Sequence, residues 1–178
     1  MKKEAKVISF TIALLIFFFI SFYSFGQNIS RTIRIVSGGN LIFSVNQLKD
    51  YKNGITYEDL TRFTFYYNDT TNFGLPGTST GWVITVKAQD AGFISESGLP
   101  DLPLETLVLR TVNSIDLSTT TIQLSNIAQT IASGVTITSV SGNLRISYDF
   151  GKDPLFPLLR KQPDFYSVNL IFTISSTY

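Results

Sequence analysis

Three pairs of carboxylates are the side chains in this sequence best spaced for proton transfer: Glu58 with Asp59, Asp101 with Glu105, and Asp149 with Asp153. Hydrolysis of a glycosidic bond by such a pair needs two different environments, one keeping a carboxyl protonated and one keeping its partner ionised. Each pair here falls at a strand edge or in a loop, where acids are ordinarily just solvated, and nothing in the sequence sets the two members apart. Other chemistries are narrowed by composition, because the 178 residues include no His and no Cys. Without His there is no Ser-His-Asp or Cys-His nucleophile and no His-based metal site; without Cys there is no thiolate and no disulfide. The expectation is a non-catalytic protein that uses no cofactor.

Binding chemistry has three further candidates. The "DFGKD" segment, Asp149 to Asp153, could offer oxygens to calcium around a turn, but it lacks the ligand spacing of a calcium loop and reads better as a plain turn. Trp82 is the one Trp, and Ile84, Val86 and Ala88 continue its face, so it reads as core rather than as a stacking platform. A glycan-binding surface would instead draw on loop aromatics, with Tyr51, Phe73 and Phe93 the candidates. In the polar loop after Asn68, Asp69-Thr70-Thr71 looks like the acceptor triplet of a bacterial O-glycosylation system, which makes Thr70 a candidate modification site.

These side chains must be positioned by elements whose character starts with export. Lys2, Lys3 and Lys6 precede an apolar run from Val7 to Phe25, and the small residues Ser24 and Gly26 then lead to Gln27, the layout of a signal peptide over residues 1–26. Residues 27–178 would form one domain, large enough to bury a core without staples. After residue 26 there are eleven basic and twelve acidic side chains, which gives no basic face for nucleic acid.

From Asn28 onward Thr, Ser, Ile, Val and Phe dominate, residues that suit pleated, half-buried surfaces. "SRTIRIV" places Ile33 and Ile35 on one face of a first strand, which ends at the turn cluster Ser37-Gly38-Gly39-Asn40. Short strands follow at "LIFSV", "LTRFTFYYN", "WVITVKA", Thr106 to Val112, "STTTIQLS", "VTITSV" and "NLRISYDF", the last two joined at Ser141-Gly142 as a hairpin. "LSNIAQTIASG" is the one helical candidate, with Leu124, Ile127, Ala128 and Ile131 at spacings of three and four. "FYSVNLIFTISSTY" closes the chain with Tyr166, Val168, Leu170, Phe172 and Ile174 alternating against polar residues, as an inner strand of the domain's own sheet.

The predicted class is all-β: a single immunoglobulin-like antiparallel sandwich of about 8–9 strands with at most one short helix. Its core would include Trp82, Ile84, Val86, Val168, Leu170 and Phe172. A small outer-membrane barrel is the competing architecture, since Tyr178 ends an alternating strand, but the runs are short for membrane crossing and interrupted by Pro. Gly81, Trp82, Ile84, Thr85 and Val86, then Tyr166, Val168, Leu170, Phe172 and Ile174, form a pair of strands similar to those of exported bacterial immunoglobulin-like surface proteins, pilin-like and WxL-like. The Gly26-Gln27 junction is similar to those of exported proteins of a Gram-negative phylum. The resemblance implies a cell-surface or extracellular structural and adhesive subunit, with periplasmic residence the alternative. Other surface proteins or glycans would be its partners, and self-assembly would proceed by strand addition. The strand offered for exchange would be the first, carrying Ile29, Ile33 and Ile35. A carbohydrate-binding module is the second functional reading.

Overall fold

The computed structural model describes residues 29–69, 79–99, 102–115, 118–135 and 139–178. The expected signal peptide, Thr70, Phe73 and Asp101 lie outside them. The described chain is all-β, with antiparallel strands arranged in two packed layers. The strands are β1 (Ile29–Ser37), β2 (Ile42–Val45), β3 (Ile55–Asp69), β4 (Gly81–Ala88), β5 (Gly92–Ser95), β6 (Leu102–Pro103), β7 (Leu107–Asn113), β8 (Thr119–Gln123), β9 (Gln129–Val135), β10 (Ser139–Phe150), β11 (Asp164–Ser167) and β12 (Leu170–Thr177). One short helix, α1 (Leu48–Asn53), and a 3-10 turn at Leu104–Thr106 complete them.

One layer is the sheet β1-β3-β10-β7-β8. The other is built from β2-β11-β5-β6 and β12-β4-β9, two halves of one bent sheet, because β4 runs on into β5 and β11 into β12. The Gln89 N–H donates to the Asn169 carbonyl at 2.9 Å across the bend. Among the described residues these sheets are open and end in edge strands, and their strands do not close into the single sheet that a barrel requires.

Alternation dictates which residues meet between the layers. In β3, Phe63, Phe65 and Tyr67 point inward and are buried, while Arg62, Thr64 and Tyr66 point outward. Phe65 lies on Trp82 at 4.8 Å between ring centres, and Phe63 on Phe172 at 5.3 Å. At the other end of the core Phe150 stacks on Phe43 at 4.3 Å and meets Phe93 at 5.0 Å.

Three expectations are corrected. Residues 124–134 are not a helix: the chain crosses between layers at 124–128 and continues as β9, leaving Ile127 72% exposed. The helix-like spacing has a different cause, since a bulge in β9 turns the successive residues Ile131 and Ala132 both inward. Ser141-Gly142 is not a hairpin but lies within the twelve-residue β10, where Gly142 sits opposite Phe65 and a Cβ would fall 2.8 Å from that ring. The closing segment is not an inner strand: it breaks at Val168-Asn169, and its second part, β12, is a sheet edge. That is why Tyr166 and Val168 are buried while Leu170, Phe172 and Ile174 are only half-buried.

Candidate functional site

The side of the sandwich bounded by the edge strands β1 and β12 holds a cleft of about 390 Å³. After Ser37 the chain leaves the first layer and crosses to β2 in the second. Gly38 makes the crossover at φ +68, a conformation that favours glycine, packed so close to the Leu60 carbonyl that no side chain fits. Thr61 Oγ1 donates to the Gly38 carbonyl at 2.8 Å, and the buried Tyr148 hydroxyl donates to Thr61 Oγ1 at 2.8 Å. Ser37 Oγ adds a bond to the Leu60 carbonyl at 3.3 Å. The cleft opens beside this latch, floored by Tyr148 and Phe172 and walled by Ile35, the crossover and the β11–β12 bend.

Burial pushes the Tyr148 phenol up to about 12, against a smaller opposing effect of its hydrogen bond with Thr61. An unfolded chain releases that proton nearer 10, so the stabilisation is whole below pH 10 and is lost as pH rises toward about 12. The loss amounts to about 3 kcal/mol at most. Alkaline unfolding of Tyr148→Phe, followed by circular dichroism, is expected to show a shallower fall across this window than the parent protein; an unchanged fall would place the titrating group elsewhere.

A second polar assembly lies on the outer face of the five-stranded sheet. A bulge in β3 opposite Ser147 carries Asp59 at φ +47, and the Asp59 N–H donates to Ser147 Oγ at 2.9 Å. From β7, Arg110 donates to Glu58 at 2.6 Å and to Asp149 at 2.7 Å, while Arg145 takes Asp59 at 2.8 Å. Burial pushes the Asp149 carboxyl up, but hydrogen bonds from Thr56, Arg110 and Lys152 outweigh it and hold the carboxyl below its ordinary value. Hydrogen bonds from Arg110 and Ser147 likewise hold Glu58 low.

A general acid needs the opposite shift. The structure therefore brings Glu58 and Asp149 together as an ion-pair network around Arg110, and it sends Glu58 and Asp59 to different cations. Asp153 turns instead to Gln123 at 2.6 Å and to the Leu155 N–H at 2.8 Å. Among the described residues, no group of three or more acidic side chains is placed to hold a metal ion. Arg110→Gln is expected to cost about 1–2 kcal/mol at neutral pH, because Asp149 is mostly buried while Arg110 is screened by solvent. Asp149 stabilises the fold above the unfolded carboxyl value and loses that contribution as pH falls through its lower folded value. Urea titrations from pH 7 to pH 3 are expected to show a weaker acid dependence in the variant.

The candidate contacts for a ligand are not gathered in one place. Phe93 is fully buried and packs on Phe150 and Phe43, so it is a core residue and offers no ring to a ligand. Its strand β5 continues β4 beyond the bend, which turns Phe93 to the inner face. Tyr51, on α1, is half-buried against the core with its hydroxyl on the Val45 carbonyl at 3.4 Å. Trp82, Ile84, Val86 and Val168 are buried in the core, and Leu170 and Phe172 pack against it from the edge. Ile33 packs partly on the core and Ile35 borders the cleft, while Ile29 pairs in register with Asp69. Sequence reasoning passed over Thr61, Tyr148 and Arg110. The one available signal was Arg110, a cation flanked by the apolar run Leu107-Val108-Leu109 in β7.

No protein-family model matches the chain, and no curated protein matches it. Among solved structures, a family two carbohydrate esterase from Cellvibrio japonicus aligns over 84% of this chain and 35% of its own, at 6% identity and a TM-score of 0.27. The chain thus spans about a third of that esterase, and the likeness is too slight to carry an argument about fold or activity.

Proposed function

We propose that this chain is a non-catalytic, exported structural or adhesive subunit of a cell surface that joins its neighbours by exchanging β1. The observation that supports this reading is the way β1 is held. It is an edge strand of nine residues, paired with β3 along its length, yet among its described side chains only Ile33 packs against the core. Ile35 is 50% exposed and Val36 62%. A strand fastened mainly by its backbone ladder can be replaced by the same strand of another copy, which restores every bond it breaks.

Exchange would turn the chain at Gly39, next to the latched Gly38, where nothing lies within 4 Å of an added Cβ. Arg31 and Arg34 place two cations on the exposed edge strand, a device that discourages further strands from stacking beside it. Exchange into the place of β1 is therefore favoured over addition of a strand beside it. Ladders in unboiled gels that vanish when residues 28–36 are deleted are the expected result. A protein that stays monomeric in its native host, at an intact mass unchanged by export, would sink this reading.

A further inference from the structure

The cleft beside the crossover has a chemistry that subunit assembly leaves unused. None of its lining residues is charged. Its rim carries carboxamides from three separate segments: Asn40 of the crossover, Gln89 of the β4–β5 bend and Asn169 of the β11–β12 bend. All three are exposed, and the side chains of Asn40 and Gln89 have no hydrogen-bond partner among the described residues. Asn169 has only a long 3.4 Å bond to Asp90. The floor is different, because its hydroxyls are spent on one another, Tyr148 on Thr61 and Thr61 on the Gly38 carbonyl. Phe172 and Tyr148 present ring carbons there, and Ser167 adds one hydroxyl to the lining.

We infer that this cleft binds one neutral pyranose unit, with a C–H face of the ring on Phe172 and its hydroxyl edge on the carboxamide rim. A sugar ring divides its surface in that way, with apolar carbons on a face and donor-acceptor hydroxyls around the edge, and a carboxamide can donate and accept toward neighbouring hydroxyls. An ionised ligand would lose water without gaining a counter-charge. A hydrocarbon would strip water from the carboxamides and return no hydrogen bond. At about 390 Å³ the cleft falls near the lower end of small-molecule sites, which run from roughly 300 to 1,000 Å³, and so suits one ring rather than a chain. The inference does not rest on assembly through β1.

Saturation-transfer NMR on the whole protein tests it, with methyl glucoside, methyl mannoside and methyl N-acetylglucosaminide as neutral probes and glucuronate as the charged one. At least one neutral glycoside is expected to bind with millimolar affinity, and glucuronate much more weakly. Gln89→Ala and Asn169→Ala are each expected to weaken binding by about tenfold, and Asn40→Trp to block it, with folding checked by circular dichroism. Binding shared by a disaccharide identifies a glycan end as the source, and binding confined to the single ring identifies a free sugar; both support the site. Silence from every neutral probe, equal binding of glucuronate, or binding indifferent to all three substitutions would overturn it.

Discussion

Replacing Phe150 with alanine is expected to lower the unfolding free energy by about 4 kcal/mol, a large part of the stability of an ordinary domain. Phe150 ends β10, and its fully buried ring touches three others: Phe43 in a stack at 4.3 Å, Phe93 at 5.0 Å and Tyr166 at 6.3 Å. Those partners come from β2, β5 and β11, so one side chain fastens the first layer to three strands of the second. Alanine would leave a cavity walled by rigid rings that cannot collapse into it. Urea unfolding followed by the fluorescence of Trp82 measures the loss. Phe165→Ala is the matched control: that ring is 47% exposed on the outer face, and its removal is expected to change stability by less than about 0.5 kcal/mol. Equal effects at the two positions would contradict the packing described.

Replacing Gly38 with alanine is expected to cost about 3 kcal/mol, while the same change at Gly39 costs nothing. Gly38 holds a left-handed φ of +68, and an added Cβ would fall 2.7 Å from the Leu60 carbonyl carbon and 2.9 Å from Thr61 Cα. These are backbone atoms of the strand that β1 pairs with, and they cannot swing aside. The crossover must lift, and with it goes the bond from Thr61 that satisfies the Gly38 carbonyl. A Cβ at Gly39 meets nothing within 4 Å. Hydrogen exchange by mass spectrometry is the informative readout, because residues 30–37 are expected to exchange faster in Gly38→Ala and not in Gly39→Ala. Slow exchange throughout β1 in both variants would show that the crossover does not hold the strand.

Much of the fold could be read because strands with one wet face announce themselves. In β4 the alternation of Trp82, Ile84, Val86 and Ala88 against Val83, Thr85 and Lys87 gives the buried face directly. Reading failed where that alternation is broken by something non-local. The bulge at Ile131 turns two neighbours inward and imitates a helix. Ser141-Gly142 has the composition of a turn, but Gly142 is needed because the Phe65 ring passes close to its Cα. Phe93 follows the bend at 89–91, which sets which face it takes, so its neighbours in the chain do not reveal its burial.

The sequence by itself determined the all-β class, the position of most strands and the inward face of β4, because these depend on side-chain period and on local turn chemistry. It also determined that His and Cys chemistry is absent, which is a matter of composition alone. Only the tertiary structure decided which strands are edges, that Arg110 gathers Glu58 and Asp149, and that Asn40, Gln89 and Asn169 share the rim of one cleft. Those facts depend on which strands pair and in what register, and a contact between residues as much as 145 positions apart, such as the Arg31–Ser176 side-chain hydrogen bond, leaves no mark on the local pattern of either.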